Sequence, residues 1–289
     1  MKVRWEEMLP DELMEAIRAH PVCYCAYGLA EPHGAYNALG LDWLKAQAIV
    51  ELAANEHGGV VAPPFAWHVQ ERVAFDWCAK MGIRHPLASS IPADLFYQTV
   101  LYQIRAIDAR GFHVGILVTG HYGGLENDMR LLCDYYTRAT GSPLQLFAAA
   151  DWELIRFENY RGDHAGICET SQLMFLRPEL VDLTRRDQDS PDGPWAGSDL
   201  PLPDGRMPSA ELGGNIVRSQ IERLGEVQTE LLAAYSPVSD WKAPSLERTQ
   251  NIWHEFEFLT RDYWWCSLTW EEYRAGKRPE FPGWDATDL

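Results

Sequence analysis

The chain has 289 residues, 46% of them hydrophobic, and 25 Lys and Arg against 42 Asp and Glu give a net charge of −17. That apolar fraction supports a large buried core, which excludes disorder as the main state. The acidity argues against nucleic acid, whose affinity comes from Lys and Arg neutralising phosphates, and equally against an anionic membrane surface.

No apolar run reaches the ~18–20 residues of a membrane helix. The start, Met1 to Glu7, has no apolar segment after its basic residues, so no signal peptide is expected. Six cysteines are too sparse for a disulfide framework. Cys23, Cys25, Cys78, Cys133 and Cys266 sit among apolar neighbours as core filler, and a reducing cytoplasm is the expected compartment.

Pro10 opens a short helix over 10–18, and Pro21 to Leu29 is an apolar, β-prone run. Leu41, Leu44, Ala48 and Leu52 form one helical stripe, stopped by Gly58-Gly59, before a short strand at Val60 to Ala62. Pro92 starts the next helix, with Phe96, Val100, Ile104 and Ile107 inward and Gly111 as its stop. Phe112 to Thr119 is near-continuously apolar, the pattern of a sheet covered on both faces. Leu125, Met129, Leu132, Cys133 and Tyr136 mark another helix, and Leu144 to Ala150 another strand. This β-α-β-α-β order predicts a parallel sheet with right-handed crossovers. Residues 185–208, with five prolines and three glycines, interrupt it as a long loop. Val217, Ile221, Leu224, Leu231 and Tyr235 then mark a long helix. From Trp241 on, the chain holds six of its twelve tryptophans, and Thr269 with Glu272 forms a capping-box helix start. The expected fold is a single layered α/β/α domain with a mostly parallel sheet over 1–240. A helical Trp-rich extension, 241–289, is expected to pack on it or on a neighbouring subunit.

Three polar clusters break the apolar pattern, two of them just past predicted strands, where open α/β sheets bind ligands. Glu31 and His33, two apart, point the same way on an extended backbone, and Asp42 at the next helix start can fold back to them. Such oxygen and imidazole donors suit zinc, manganese or iron, although Glu-x-His alone also fits a surface carboxylate and a capped histidine. His121, in Gly120-His121-Tyr122-Gly123-Gly124, stands at the end of the most apolar strand. His164 and Glu169, in a segment running from Asp163 to Ser171, make a loop-to-helix start that also fits an N-cap at Thr170 or Ser171 with Glu169 solvated. His68, beside Trp67, is placed to reach a pocket; His20, His57, His85, His113 and His254 lack a carboxylate at ligand-like spacing. Nucleotide-binding glycine loops, HExxH and GxSxG are absent, as is any basic stripe with interleaved aromatics.

Together the clusters resemble the creatininase family (creatinine amidohydrolase and its relatives). The E-x-H…D pattern spans Glu31 to Asp42, the glycine-histidine turn is at 120–124, and the HAGxxETS motif runs from His164 to Ser171. Order and spacing agree over roughly residues 20–182. The resemblance implies a layered α/β fold, usually a hexamer, and two divalent metal ions per subunit (Zn, Mn or Fe). It implies Glu31, His33, Asp42 and His121 as metal ligands, Asp42 bridging. The creatininase pattern puts the remaining carboxylate two after the turn histidine, where this chain has Gly123; Glu169 is expected instead, with Glu126 the other candidate. His164 and Glu169 are the implied catalytic residues, His164 as acid/base or substrate-binding group. Tyr36, Trp67, His68, Tyr122 and Gly123 are expected around a small amide, lactam or formamide. The implied reaction is hydrolysis of a non-peptide C–N bond by a metal-activated hydroxide. A metal-dependent lyase or isomerase and a non-catalytic relative are the competing readings. Tyr36 replaces the motif's second histidine and Asn37-Ala38 its Leu-Pro, which sets the chain apart from creatininase proper.

Overall fold

Alternating side chains on four parallel strands build two separate cores. The strands are β1 (Val22–Tyr27), β2 (Val60–Val61), β3 (Val114–Thr119) and β4 (Gln145–Ala150). They lie in the order β2-β1-β3-β4, with Val22 opposite Val114 and Thr119 opposite Ala150. The computed structural model describes residues 2–80, 88–156, 162–188 and 206–284. Cys23, Cys25 and Tyr27 join one core while Val22, Tyr24 and Ala26 join the other, the two-residue period of a strand buried on both faces.

The first core is closed by α1 (Pro10–Ala19), and the second by α2 (Leu41–His57). Next in the chain come α3 (Arg72–Lys80), α4 (Ala93–Ala109), α5 (Leu125–Thr140), α6 (Ile167–Leu176), α7 (Ala210–Ala234), α8 (Leu246–Thr260) and α9 (Trp270–Arg274). Helices α4, α5 and α8 complete the first core, and α7 the second. The layered parallel architecture expected from the sequence is present.

One helix turns differently from expectation. The buried side of α2 is Asp42, Lys45, Ala46, Ile49, Val50 and Ala53, while Leu52 is 40% exposed and Leu44 and Ala48 only half-buried. The helix rolls so that Asp42 and Lys45 reach the polar end of the sheet; Leu41 stays buried, while Leu44, Ala48 and Leu52 turn toward solvent. Of the loop at 185–208, residues 183–188 form a 3₁₀ turn and 189–205 lie outside the described residues, as do His85 and the side chain of Cys78.

The Trp-rich segment is held by rings and by one carboxylate. Trp253, Phe256 and Trp264 pack together, and Trp264 meets Tyr97 edge-on at 5.2 Å. Asp128 accepts the backbone N–H groups of Trp265 (2.9 Å) and Cys266 (3.3 Å) and the Tyr97 hydroxyl (2.7 Å). Burial pushes the Asp128 carboxyl up to about 7 against those hydrogen bonds. No helix among the described residues is long and apolar enough to cross a membrane.

Candidate metal centre

Polar residues follow the carboxyl end of every strand: Glu31 and His33 after β1, Gln70 and Glu71 after β2, His121 after β3 and Asp151 after β4. The first turn of α2 lies directly on this edge. A methyl group on Gly28 would collide with the Trp43 backbone, and one on Gly120 with the Asp42 carbonyl. Those two glycines let α2 press Asp42 between the ends of β1 and β3.

Asp42 is 1% exposed and touches a histidine with each oxygen. Its Oδ1 lies 2.8 Å from His33 Nε2, and its Oδ2 lies 3.2 Å from His121 Nδ1. Glu31 Oε1 is 3.1 Å from the same His121 nitrogen, and Glu169 Oε2 is 3.7 Å from His33 Nε2. The donors thus fall into two groups, Glu31–Asp42–His121 and His33–Asp42–Glu169, each compact enough for one ion. A third grouping, Glu31–His33–His164, overlaps both.

The electrostatics are those of a site that wants cations. Burial alone would lower the pKa of His33, but Asp42, Glu169 and Glu31 lift it to about 9. Burial likewise opposes the charge on His121, and Glu71, Glu31 and Asp42 outweigh it, driving its pKa well up. Glu31 is resisted by burial yet held down to about 2 by His121 and His164. Asp42, resisted by burial too, is driven far below the usual range by His33 and His121.

The donors fit a divalent ion on a separate count. His33 Nε2 and Asp42 Oδ2 are buried without a hydrogen bond although they face other polar atoms, a cost that a metal removes. His33 Nδ1–H donates to the Glu31 carbonyl at 3.0 Å, which leaves Nε2 facing Asp42 and Glu169, the nitrogen that would offer its lone pair to a metal on giving up its proton.

Glu169 enters from the start of α6. Asp163 caps that helix by accepting the N–H groups of Cys168 and Glu169, and burial together with Glu169 raises its pKa to about 7. The cap is therefore Asp163 rather than Thr170 or Ser171, and Glu169 is 1% exposed. Ala165 adopts a left-handed φ of 51°, and its N–H donates to Glu169 Oε2 at 2.8 Å. The other carboxylate oxygen meets Lys45 Nζ at 2.5 Å and the Tyr122 hydroxyl at 2.9 Å. Lys45 is fully buried, 3.4 Å from Asp151 Oδ1, and those acids raise its pKa against the penalty of burial. Glu126 instead turns back to the Gly124 N–H at 3.2 Å and belongs to neither group.

His164 is the more open imidazole, its side chain 37% exposed. Its Nε2–H donates to the Pro32 carbonyl at 3.0 Å, and Nδ1 faces Glu31 Oε1 at 3.9 Å. The expected substrate residues scatter. Tyr36 is 2% exposed and donates to the Ala165 carbonyl, and Trp67 is 52% exposed at the surface. His68 is buried 3.2 Å from Thr119 Oγ1, and burial, aided by His121, lowers its pKa to about 3. Tyr122 bears on Glu169, and Gly123 sits against Glu71. A cavity of about 920 Å³ lies alongside, walled by Gln70, Ser90, Trp264, Cys266 and Leu268. Gln70 joins it to the site by donating to Glu31 Oε2 at 3.0 Å.

Sequence reasoning missed Lys45, Gln70, Glu71 and Asp151, and it placed Asp163 in the third cluster without its role as the cap of α6. Lys45 alone had a signal, three residues past Asp42 on one helical face.

A parallel sheet covered on both faces, with two carboxylate–imidazole groups at its carboxyl edge, defines an α/β protein with donor groups that could each hold a metal ion. Comparison with known proteins gives the class its family. A family model described as creatinine amidohydrolase matches residues 6–226. A creatinine amidohydrolase of Pseudomonas putida is 24% identical over 176 residues, 55% of this chain, and the chain spans only 65% of that relative's length. A zinc–zinc form of a mutant creatininase superposes with a TM-score of 0.65 at 19% identity, over 82% of this chain and 100% of that one. A mutant creatininase complexed with creatine gives 0.63 at 22% identity, over 80% and 98%. The chain belongs to the creatininase family.

Proposed function

We propose that this protein is a metal-dependent amidohydrolase cleaving a non-peptide C–N bond in a small cyclic amide, lactam or formamide-type molecule. The supporting observation is the pair of donor groups joined through Asp42, with His164 at their open side. Glu31, Asp42 and His121 would hold one zinc, manganese or iron ion, and His33, Asp42 and Glu169 a second. Ions of this kind supply Lewis acidity and lower the pKa of water, which gives a nucleophile at neutral pH.

The chain's own residues do the rest. Burial of Glu31, His33 and Asp42 at 8%, 0% and 1% exposure keeps competing bulk water away from the donors. Lys45, Tyr122 and the Ala165 N–H fix both oxygens of Glu169. With Nε2–H committed to Pro32, Nδ1 is the His164 atom that faces the site, placed to take a proton from the attacking water and pass it to a departing nitrogen. The family likeness extends the proposal to a cytoplasmic homo-oligomer.

The test is metal analysis of protein purified without added metal, followed by turnover of lactams and formamides in ¹⁸O-labelled water. About two divalent ions per chain and label in the product are expected. Less than about one ion per chain, or turnover that survives complete metal removal, overturns the proposal. Turnover without label points to the lyase or isomerase reading.

A further inference from the structure

We propose that Glu71 is the positioning carboxylate of His121, standing where position 123 carries no side chain. This rests on the reading of Glu31, Asp42 and His121 as an ion-binding set. A histidine ligand needs one nitrogen free as a lone pair and the other anchored through its N–H. His33 meets that need through the Glu31 carbonyl. His121 presents Nδ1 to Glu31 and Asp42, so its N–H is on Nε2, and the acceptor facing Nε2 is Glu71 Oε2 at 3.2 Å. The two atoms are within ion-pair distance, but the contact is not a formed hydrogen bond.

Glu71 acts through the ring, not beside it. The two imidazole nitrogens point apart, and Glu71 belongs to none of the three donor groups. Its side chain is 13% exposed, and the Gln70 amide, which donates to Glu31 Oε2 at 3.0 Å, also reaches Glu71 Oε2 at 3.4 Å. One neutral amide thus ties the ligand Glu31 to the carboxylate behind the ligand His121. The Glu71 carbonyl is fixed in turn by the N–H groups of Ala74 and Phe75 in the first turn of α3.

Gly123 makes the arrangement possible. Its φ of +127° favours glycine, and a methyl group there would come within 2.6 Å of Glu71 Oε1. A side chain at 123 and the Glu71 carboxylate compete for one space. This chain fills it from the β2 side of the sheet.

The experiment titrates metal-stripped wild type, E71A and E71Q with Zn²⁺ against a chromophoric chelator. E71A is expected to weaken one zinc site by about 10–100-fold and leave the other within about twofold. E71Q, which keeps a neutral oxygen acceptor, is expected to fall between. Equal weakening of both sites, the signature of a merely structural role, overturns the proposal, as does an E71A titration that matches wild type. Wild-type protein that takes up no zinc overturns this proposal and the metal reading together, whereas failure in E71A alone leaves the metal reading standing.

Discussion

The two donor groups share Asp42 but differ in what stands behind them. Behind Glu31 and His121 are a neutral amide, Gln70, and an anion, Glu71. Behind Glu169 is a buried ammonium, Lys45, 2.5 Å from the carboxylate oxygen that does not face His33. A cation entering the first group meets extra negative charge. A cation entering the second meets a positive charge already in place, a repulsion of roughly several kcal/mol at protein-like dielectric. The two groups are thus expected to bind unequally, the Glu31 side first and tightly, the Glu169 side second and weakly.

Replacing the shared carboxylate breaks the comparison outright. Asp42→Asn is expected to lower zinc affinity at both groups by about 100-fold or more, because each loses a charged oxygen. Metal content after gel filtration checks this, and loss of only one ion would show that Asp42 serves a single group. Lys45→Met acts on one side only. Zinc affinity of the weaker site is expected to rise at least about tenfold. The metal-free protein is expected to lose about 3–5 kcal/mol, since Glu169 and Asp151 are left buried without their cation. For a chain of this size that lowers the melting temperature by roughly 6–10 °C, and saturating zinc restores it. A variant whose second site stays weak would remove Lys45 as the cause of the inequality.

The metal-free protein offers a gentler test of the second group. The folded-state pKa of His33 is raised from 6.5 to about 9 by Asp42, Glu169 and Glu31, in spite of burial. A histidine so raised contributes stability that is complete below its unfolded pKa and is lost as pH rises through the folded one. His33 is therefore expected to account for up to about 3 kcal/mol of the stability lost between pH 6.5 and 9, and His33→Gln to make that stretch shallower, with His121, raised likewise, still adding to the fall. The thermal shift produced by zinc should grow over the same range. Identical pH profiles for wild type and His33→Gln would mean that His33 holds no extra proton in the fold.

Much of this was legible in the chain because strands and motifs leave local marks. The apolar run at 112–119 and the glycines at 58–59 and 111 set element boundaries that the fold keeps within two residues or so. Glu31, His33 and His121 stand out in the sequence because they follow apolar strands, Asp42 because it starts the next helix, and their roles as ligands come from the family resemblance. What failed to show depends on rotation and on distant partners. Leu44, Ala48 and Leu52 repeat with the same period as Asp42, Lys45 and Ile49, and the close approach at Gly28 and Gly120 turns the second set inward, with Leu41 buried beside it. Glu71 follows a two-residue strand and reaches His121 across 50 positions, a pairing that no spacing rule contains. Helix α8, with Thr249, Ile252, Trp253 and Phe256 buried, does carry a helical period, masked by aromatic crowding.

The smallest expected effect concerns a residue outside the family match, which ends at 226. Trp265 lies where any side chain on Gly124 would have to go, directly behind the turn that carries His121. Its backbone N–H is held by Asp128 at 2.9 Å, so the ring is braced from α5 and braces the turn in exchange. Gly124 itself has a left-handed φ of 103°, a conformation that the flat face of an indole can cover without strain. Trp265→Ala empties that space and lets the turn relax on one side of Asp42 only. Zinc affinity of the His121 group is expected to fall by about threefold, short of the loss from removing a direct anchor, with the Glu169 group unmoved. Half-burial limits the stability cost to about 2 kcal/mol, below the range for a fully buried tryptophan. The same zinc titration that separates the two groups reads this out. Equal weakening of both would mean that the Trp-rich segment supports the sheet as a whole, and that the inequality of the two groups is set by Lys45 and Glu71 alone.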